Sequence, residues 1–420
     1  MKLTAYSLVA LVIVLFISSC GHDLGKATVT YTRATAQYGD VESLRNTPLA
    51  GPVRSINDAG KIFVSDQILL IGEEGEGIHV LDNTDPKNPT HTLFINIPGN
   101  REFFVQGDIL FAESVYDMLK IDISDISNPY LVTRIEEGVW SEIQNQQGET
   151  LLGFEYERVT EEIELNDNVD INFWNSESVH YYDYANNLIP PSALPSSFAG
   201  NNSDIGSVNR IAYLNDHVYL ISKSNMNVFS DAAQFELVSQ NSVGWEMETI
   251  YPLGDKLYIG SRSSMTVFNA TAPWDPRHES EYWHETSCDP VMPVSSETAY
   301  LTLRSEEFGD CPGDINALHV LGMRDGWIEQ LHEIEMESPF GMTIVDNELF
   351  VGEGSAGLKV FDISDVRNPV LTRTITTVAA YDIIAHPVNK NMILIAGPEG
   401  FSQFQVGNDF ELQLLSTISY

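Results

Sequence analysis

The sequence predicts an all-β fold made by tandem repetition of a four-strand unit, and three observations carry that expectation. A short motif ending in Asp returns along the chain at steps near forty residues. Each unit holds four apolar runs of four to six residues, split by Gly, Asp and Asn, which is strand-and-turn chemistry. No window keeps apolar residues at spacings of three and four between caps, the pattern that a helix requires.

Three copies of the motif are nearly identical. Gly77-Ile78-His79-Val80-Leu81-Asp82 leads to Asn88-Pro89, Met118-Leu119-Lys120-Ile121-Asp122 to Asn128-Pro129, and Gly357-Leu358-Lys359-Val360-Phe361-Asp362 to Asn368-Pro369. Weaker copies lie at 179–183, 226–230, 265–269, 318–322 and 401–405. Taking the Asp position as register gives 82, 122, 183, 230, 269, 322, 362 and 405, with steps of 40, 61, 47, 39, 53, 40 and 43. A period near forty with four short strands per unit is the range of β-propellers. The expected architecture is a single β-propeller of about eight four-stranded blades, with seven the alternative if the degenerate third unit is not a blade.

Within the first unit the strands read as 60–64, 68–71, 78–81 and 92–95. Asp82, Asp122, Asp183 and Asp362 are read as turn residues, because short acidic side chains accept hydrogen bonds from backbone N–H groups nearby. Pro89, Pro129 and Pro369 each push the preceding residue into extended geometry, which ends the turn and opens the fourth strand. The competing reading of these acids is a cation-binding ring on one face. The copies at Ser230, Asn269, Gly322 and Gln405 lack the Asp.

The long steps mark insertions near 155–204 and 304–316. In the first, Glu155, Glu157, Glu161, Glu162, Glu164, Asp167, Asp170 and Glu177 stand against one Arg158, and Phe154, Tyr156, Val159, Ile163 and Leu165 alternate with the acids. That pattern predicts a solvated hairpin projecting from its blade, either surface decoration or an arm that binds a partner or a cation. Beside the second insertion stand Cys288 and Cys311, which in an exported chain favour a disulfide. A zinc reading that adds His278 and His284 to Cys288 matches no standard ligand spacing.

At the N-terminus, Met1-Lys2 precedes an almost unbroken apolar run over 5–17, too short to span a bilayer and suited to a secretory signal. The run ends in Ile17-Ser18-Ser19-Cys20-Gly21, which resembles a bacterial lipoprotein box. The resemblance implies a signal peptide over 1–19, acylation of Cys20, a polar tether over 20–48 and the propeller over 49–420. Each buried methylene contributes ~0.8 kcal/mol, and more than one acyl chain anchors stably. The implied location is that of a bacterial outer-membrane lipoprotein, with the periplasmic or surface side left open.

From about Ala59 onward the chain resembles the LVIVD-repeat family of bacterial β-propellers. The likeness is carried by the Ile/Leu-x-Val-hydrophobic-Asp core with its Asn-Pro, by Gly60-Lys61-Ile62 and Gly77-Ile78, and by Cys288-Asp289-Pro290-Val291 with Ala299-Tyr300-Leu301-Thr302-Leu303-Arg304. It implies a propeller on exported, often membrane-anchored proteins, and supplies no catalytic residues.

With 22 Lys+Arg against 60 Asp+Glu the formal net charge is -38, which argues against nucleic-acid binding by phosphate neutralisation. Such a surface favours solubility in a salty medium, or Ca²⁺ bound at the acidic loops. Gly352-Glu353-Gly354-Ser355-Ala356-Gly357 matches a dinucleotide fingerprint but opens onto a strand, where the cofactor needs a helix N-terminus. No zinc-protease, P-loop or nucleophile-elbow motif is present, and no cofactor or catalytic residue is singled out. The function expected is a binding or scaffolding module at the cell envelope, with an envelope protein or a glycan as partner. The alternative is a carbohydrate- or ester-active hydrolase using carboxylates at the channel mouth.

Overall fold

The computed structural model describes residues 26–164, 179–183, 185–190, 210–222, 224–244, 247–285, 290–305 and 313–419. Its eight principal sheets fall into two compact units: one comprises 1–39 with 151–193, the other 40–150 with 194–420.

In the larger unit, seven sheets each take four consecutive strands in simple up-and-down order. We number them blades 1 to 7, over residues 59–96, 103–135, 211–242, 247–283, 291–335, 342–375 and 382–418. The sheets are copies of one another down to a shared irregularity. In every blade the ladder between third and fourth strands slips by one residue, at Val80/Leu81, Leu131/Thr133, Val228/Phe229, Val267/Phe268, Val320/Leu321, Val360/Phe361 and Gln403/Phe404. A bulge increases the local twist and bends the strand. Gly77, Gly357 and Gly400 open the third strands of blades 1, 6 and 7 at φ values of 144°, 109° and 131°, where a Cβ would lie within 2.1 Å of a neighbouring carbonyl oxygen.

The turn between third and fourth strands has the chemistry of its residues. Asp82 accepts the N–H of Thr84, Asp122 that of Ser124 and Asp362 that of Ser364. Three residues further on, Asp85, Asp125 and Asp365 each accept a second N–H at 3.1 Å. Their carbonyls close the turns to Asn88, Asn128 and Asn368 at 2.9 Å. Pro89, Pro129 and Pro369 directly precede the fourth strands that begin at Thr90, Tyr130 and Val370. Asn269 substitutes for the Asp in blade 4, its side-chain oxygen accepting the N–H of Thr271.

Successive blades are glued by buried apolar clusters. One joins blades 1 and 2 around Leu70 and Phe103, and others continue in order around the ring. The seventh joins blade 7 back to blade 1, packing Met392, Leu394 and Phe401 against Ile62, Leu69 and Ile71. This closes a seven-bladed β-propeller.

Polar contacts repeat at these junctions too. The carbonyl four residues after the motif position accepts a hydrogen bond from the preceding blade: Pro273 from Tyr219, Val366 from Tyr300, and Pro86 from Gln403 and Ser416. At the closing junction Asn83 and Gln403 exchange a reciprocal pair of buried amide hydrogen bonds of 3.0 and 2.8 Å.

The smaller unit is built differently. Strand Lys26–Gly39 lies between Thr150–Glu164 and Val179–Tyr182, with Leu188–Ile189 outermost. Thr32 to Thr35 pair with Val179 to Tyr182 in parallel, so this is not an up-and-down blade. The third repeat copy belongs here, with Asp183 accepting the N–H groups of Ala185 and Asn187. The blade count is therefore the alternative of seven.

Two further expectations are revised. From Lys26 to Gly39, the stretch read as a tether is a central strand with Val29, Tyr31, Ala34 and Ala36 buried. The acidic stretch from Glu155 to Glu164 is the second half of a 15-residue strand beside it, rather than one arm of a hairpin on a blade. Tyr31 donates to Glu161 at 3.0 Å, and Arg33 stacks over Tyr182 at 4.3 Å. Residues 165–178 lie outside the described residues.

After this unit, residues 40–51 return to the propeller. A one-turn helix, Glu42–Arg45, presents Arg45 to Asp117 through two hydrogen bonds of 2.9 and 3.1 Å. Ala50–Gly51 then adds a fifth strand to the outer edge of blade 1.

Replacing Gln403 by Ala leaves the buried Asn83 amide without its partner. Replacing Asn83 by Ala removes the donor to the Gln403 carbonyl oxygen, while the Gln403 Nε2 keeps Pro86 and Ser416. Each change costs ~1–3 kcal/mol. Chemical denaturation of both single variants and the double variant tests this. The double variant loses less than the sum of the singles by ~0.5–3 kcal/mol, and simple additivity would contradict the pairing.

Candidate functional site

Strand direction alternates through each blade, so the connections from second to third strand, and from one blade to the next, emerge on one face of the propeller. The interruption between Leu303 and Ala317 joins a second strand to a third and is a connection of this kind. The Asp-bearing turns emerge on the opposite face. Hydrogen bonds from Thr84, Ser124 and Ser364 hold the exposed Asp82, Asp122 and Asp362 below the usual carboxylate range. Asp183, in the smaller unit, is held low likewise by Asn187.

On the first face the repeat places a buried Glu at the end of a second strand in blades 1, 2 and 6. Glu73, Glu113 and Glu353 are 3%, 4% and 1% exposed. Two of them are satisfied in the same way. Glu73 accepts the backbone N–H groups of Asn57 and Asp58 and pairs with His79, six residues on, at 2.9 Å. Glu353 accepts the N–H of Glu337 at 2.8 Å and pairs with Lys359, also six residues on, at 3.0 Å. Each carboxylate thus pins the segment that enters its blade. Burial pushes Glu73 up, but the His79 hydrogen bond and the backbone donors hold it below its ordinary value. Burial pushes the His79 pKa down, and its other ring nitrogen meets His91 at 3.2 Å.

Glu113 departs from this pattern because it lies one ladder position earlier: it pairs with Met118, whereas Glu73 pairs with Gly77, so Ser114 holds the Glu73 position in blade 2. Its carboxylate is instead influenced by Glu102, Arg210, Arg101 and Glu74. Here the charges of four blades converge. Glu74 meets Arg101 at 3.2 Å, Lys61 meets Glu102 at 3.9 Å, and the backbone N–H of Arg210 donates to Glu102 at 3.3 Å. Lys61 also feels Asp382 of blade 7. Burial is the largest influence on each: it pushes Glu113 and Glu74 up to about 7 and Lys61 down. Such clustering of perturbed groups is a mark of functional sites.

Next to this cluster the first strands of blades 4 to 7 enclose a cavity of about 210 Å³. Asp382 lines it and links it to Lys61. It is the single carboxylate in that lining, which contains no His, Cys or Ser. Paired carboxylates of the glycosidase kind are not found in that lining.

Among the described residues no group of three or more His, Cys, Asp or Glu is arranged to hold a metal ion. No helix among them is long and apolar enough to cross a membrane. Cys20, Cys288 and Cys311 lie outside the described residues. His278 is exposed on the fourth strand of blade 4, and His284 hydrogen-bonds the Glu285 carbonyl at 2.7 Å.

No family model matches the chain, and no curated protein matches it in sequence. Solved structures do. The chain is similar to a functionally unknown protein from Desulfotomaculum acetoxidans DSM 771, with TM-score 0.52 and 10% identity over 84% of this chain and 96% of that one. It is also similar to the Pan2 WD40 domain of Neurospora crassa, with TM-score 0.50 and 8% identity over 81% and 86%. The computationally designed Ika8 protein gives TM-score 0.50 and 11% identity over 86% and 87%. The likeness is one of fold.

The titration of Glu113 has a definite sign. A carboxyl whose folded pKa is raised favours folding most below its unfolded value near ~4.3, and that contribution is lost as pH rises through about 7. Glu113→Gln removes the ionisation. Urea denaturation from pH 5 to pH 8 should show a flatter stability profile for this variant, with a gain on the order of 2–3 kcal/mol at pH 8. An unchanged slope would show that Glu113 does not carry the effect.

Proposed function

We propose that this chain is a lipoprotein of the bacterial cell envelope, anchored through Cys20, whose propeller serves as a binding or scaffolding module for an envelope protein or glycan. The observation that carries the reading is the convergence of Lys61, Glu74, Arg101, Glu102, Glu113, Arg210 and Asp382 at one mouth of the ring. Burying charge is costly, and the blade repeat does not require it there, since equivalent second-strand ends in blades 4 and 7 are occupied by Gly260 and Ala396. The connection between Leu303 and Ala317, an interruption of the repeat, emerges on the same face. Loops carried on a rigid scaffold are where binding surfaces are usually built.

The anchor is supported by Cys20, which follows two small residues at the end of a short apolar run. The LVIVD-like repeats agree with an exported propeller. The -38 charge suits a partner with a basic surface or one bridged by Ca²⁺.

Mass spectrometry of the mature N-terminal peptide tests the anchor: an acylated Cys20 is expected, and Cys20→Ser should release the chain from membranes. Affinity capture from solubilised envelopes, with and without Ca²⁺, tests the face. A partner held by the wild type should be lost at least tenfold with Arg101→Ala, provided circular dichroism is unchanged. Equal capture by both would remove the charged mouth as the contact surface.

A further inference from the structure

We infer that the Asp-turn face carries a docking site between blades 4 and 5 for a proline-bearing turn of a partner protein, which gives a main-chain carbonyl to the Tyr258 hydroxyl and packs against Trp327.

The site lies where the repeat breaks. Tyr219, Tyr258 and Tyr300 hold one ladder position in the second strands of blades 3, 4 and 5, opposite Val228, Val267 and Val320. All three are buried and packed toward the following blade. Tyr219 and Tyr300 donate to main-chain carbonyls in the next blade's turn between third and fourth strands, Pro273 at 3.2 Å and Val366 at 2.8 Å. Blade 5 has no such turn to offer Tyr258. Its third and fourth strands stay paired out to Arg324 and Trp327, and Asp325 and Gly326 close a two-residue hairpin at φ values of 52° and 79°. The Tyr258 hydroxyl therefore has no hydrogen-bond partner among the described residues.

That hydroxyl is also open. Tyr258 is 1% exposed, yet its oxygen is not sealed, and the residue lines a hollow of about 450 Å³ with Gly254, Asn269, Thr271 and Ser296. Past Lys256 and Ser296 the hollow runs on to Trp327, which is 80% exposed.

The ring itself shows what covers this position. The turns that supply the carbonyl in blades 1, 4 and 6 carry proline, at Pro86 and Pro89, Pro273 and Pro276, and Pro369. A proline turn from outside completes the blade 4–5 junction as the chain completes its others, and an exposed aromatic ring is the usual platform for proline. A free ion is not selected, because Lys256 is paired with Glu279 and Arg324 with Asp325.

The site is on the face opposite the charged mouth and goes beyond the reading above, so the two fail separately. Isothermal titration calorimetry of the purified full chain uses a cyclised peptide copying residues 269–277, the turn that receives Tyr219, and the same ring with Pro273→Ala and Pro276→Ala. The proline ring should bind one per chain and the alanine ring more weakly. Tyr258→Phe should weaken the proline ring roughly fivefold or more, the loss of one hydrogen bond. Trp327→Ala, a change at an exposed side chain, should weaken it roughly tenfold. Arg101→Ala should leave it unmoved. The urea midpoint of Tyr258→Phe should match the wild type, while that of Tyr219→Phe falls. No binding of the proline ring, binding unmoved by Tyr258→Phe, or a lowered midpoint for that variant would each overturn the assignment. So would Tyr258-dependent binding of maltose in place of the peptide, or a Tyr258-dependent dimer of the chain in sedimentation.

Discussion

Everything in the larger unit depends on how its first and last blades meet. Each blade takes its four core strands consecutively, so no strand from one end of the chain completes a sheet begun at the other. The ring is closed by side-chain packing and by side-chain hydrogen bonds, without a shared strand. Eleven buried residues form the cluster between blades 7 and 1, against twelve between blades 1 and 2, so the closing junction is no thinner than an ordinary one. It is also chemically alike. The carbonyl that Pro86 offers to blade 7 stands where Pro273 and Val366 offer theirs to blades 3 and 5. The Asp-led turn therefore does two things: it ends one strand, and it presents an acceptor to the blade before it. What distinguishes the closure is the Asn83–Gln403 amide pair, whose matched donors and acceptors leave a register slip with unpaired buried groups.

The parts legible in the sequence are those set by local rules. Alternation and turn chemistry locate the blades, because Asp82, Asp122 and Asp362 act within two residues of themselves. The strand Lys26–Gly39 was not legible as such. Its buried positions are held by small or half-polar residues, Ala34, Ala36 and Tyr31, among alternating Thr, and its neighbours lie more than a hundred residues away. The third repeat copy was misleading for a related reason: its Asp183 turn is local and real, but the strand before it pairs in parallel with that distant segment.

The charged mouth was hidden for a different reason. Among 60 acidic residues nothing in the sequence marks Glu113 from its neighbours. One signal was available, the shared register of Glu73 and Glu353, each with a basic residue six positions on. Glu113 stands where Gly72 and Gly352 stand in their blades, one position short of the loop pin, and there it joins the cluster. The channel beside it follows from the ring itself, since first strands from successive blades must converge without filling the axis.

Native-state hydrogen exchange tests the closure most directly. If side-chain packing makes the seven junctions equivalent, amides in the second strands of blades 1 and 7, around Leu70 and Leu394, open with the same free energy as those around Tyr258 of blade 4, to within ~1 kcal/mol. Blades 1 and 7 exchanging at a much lower free energy while blade 4 stays protected would show a ring that opens at its ends, and would contradict the account.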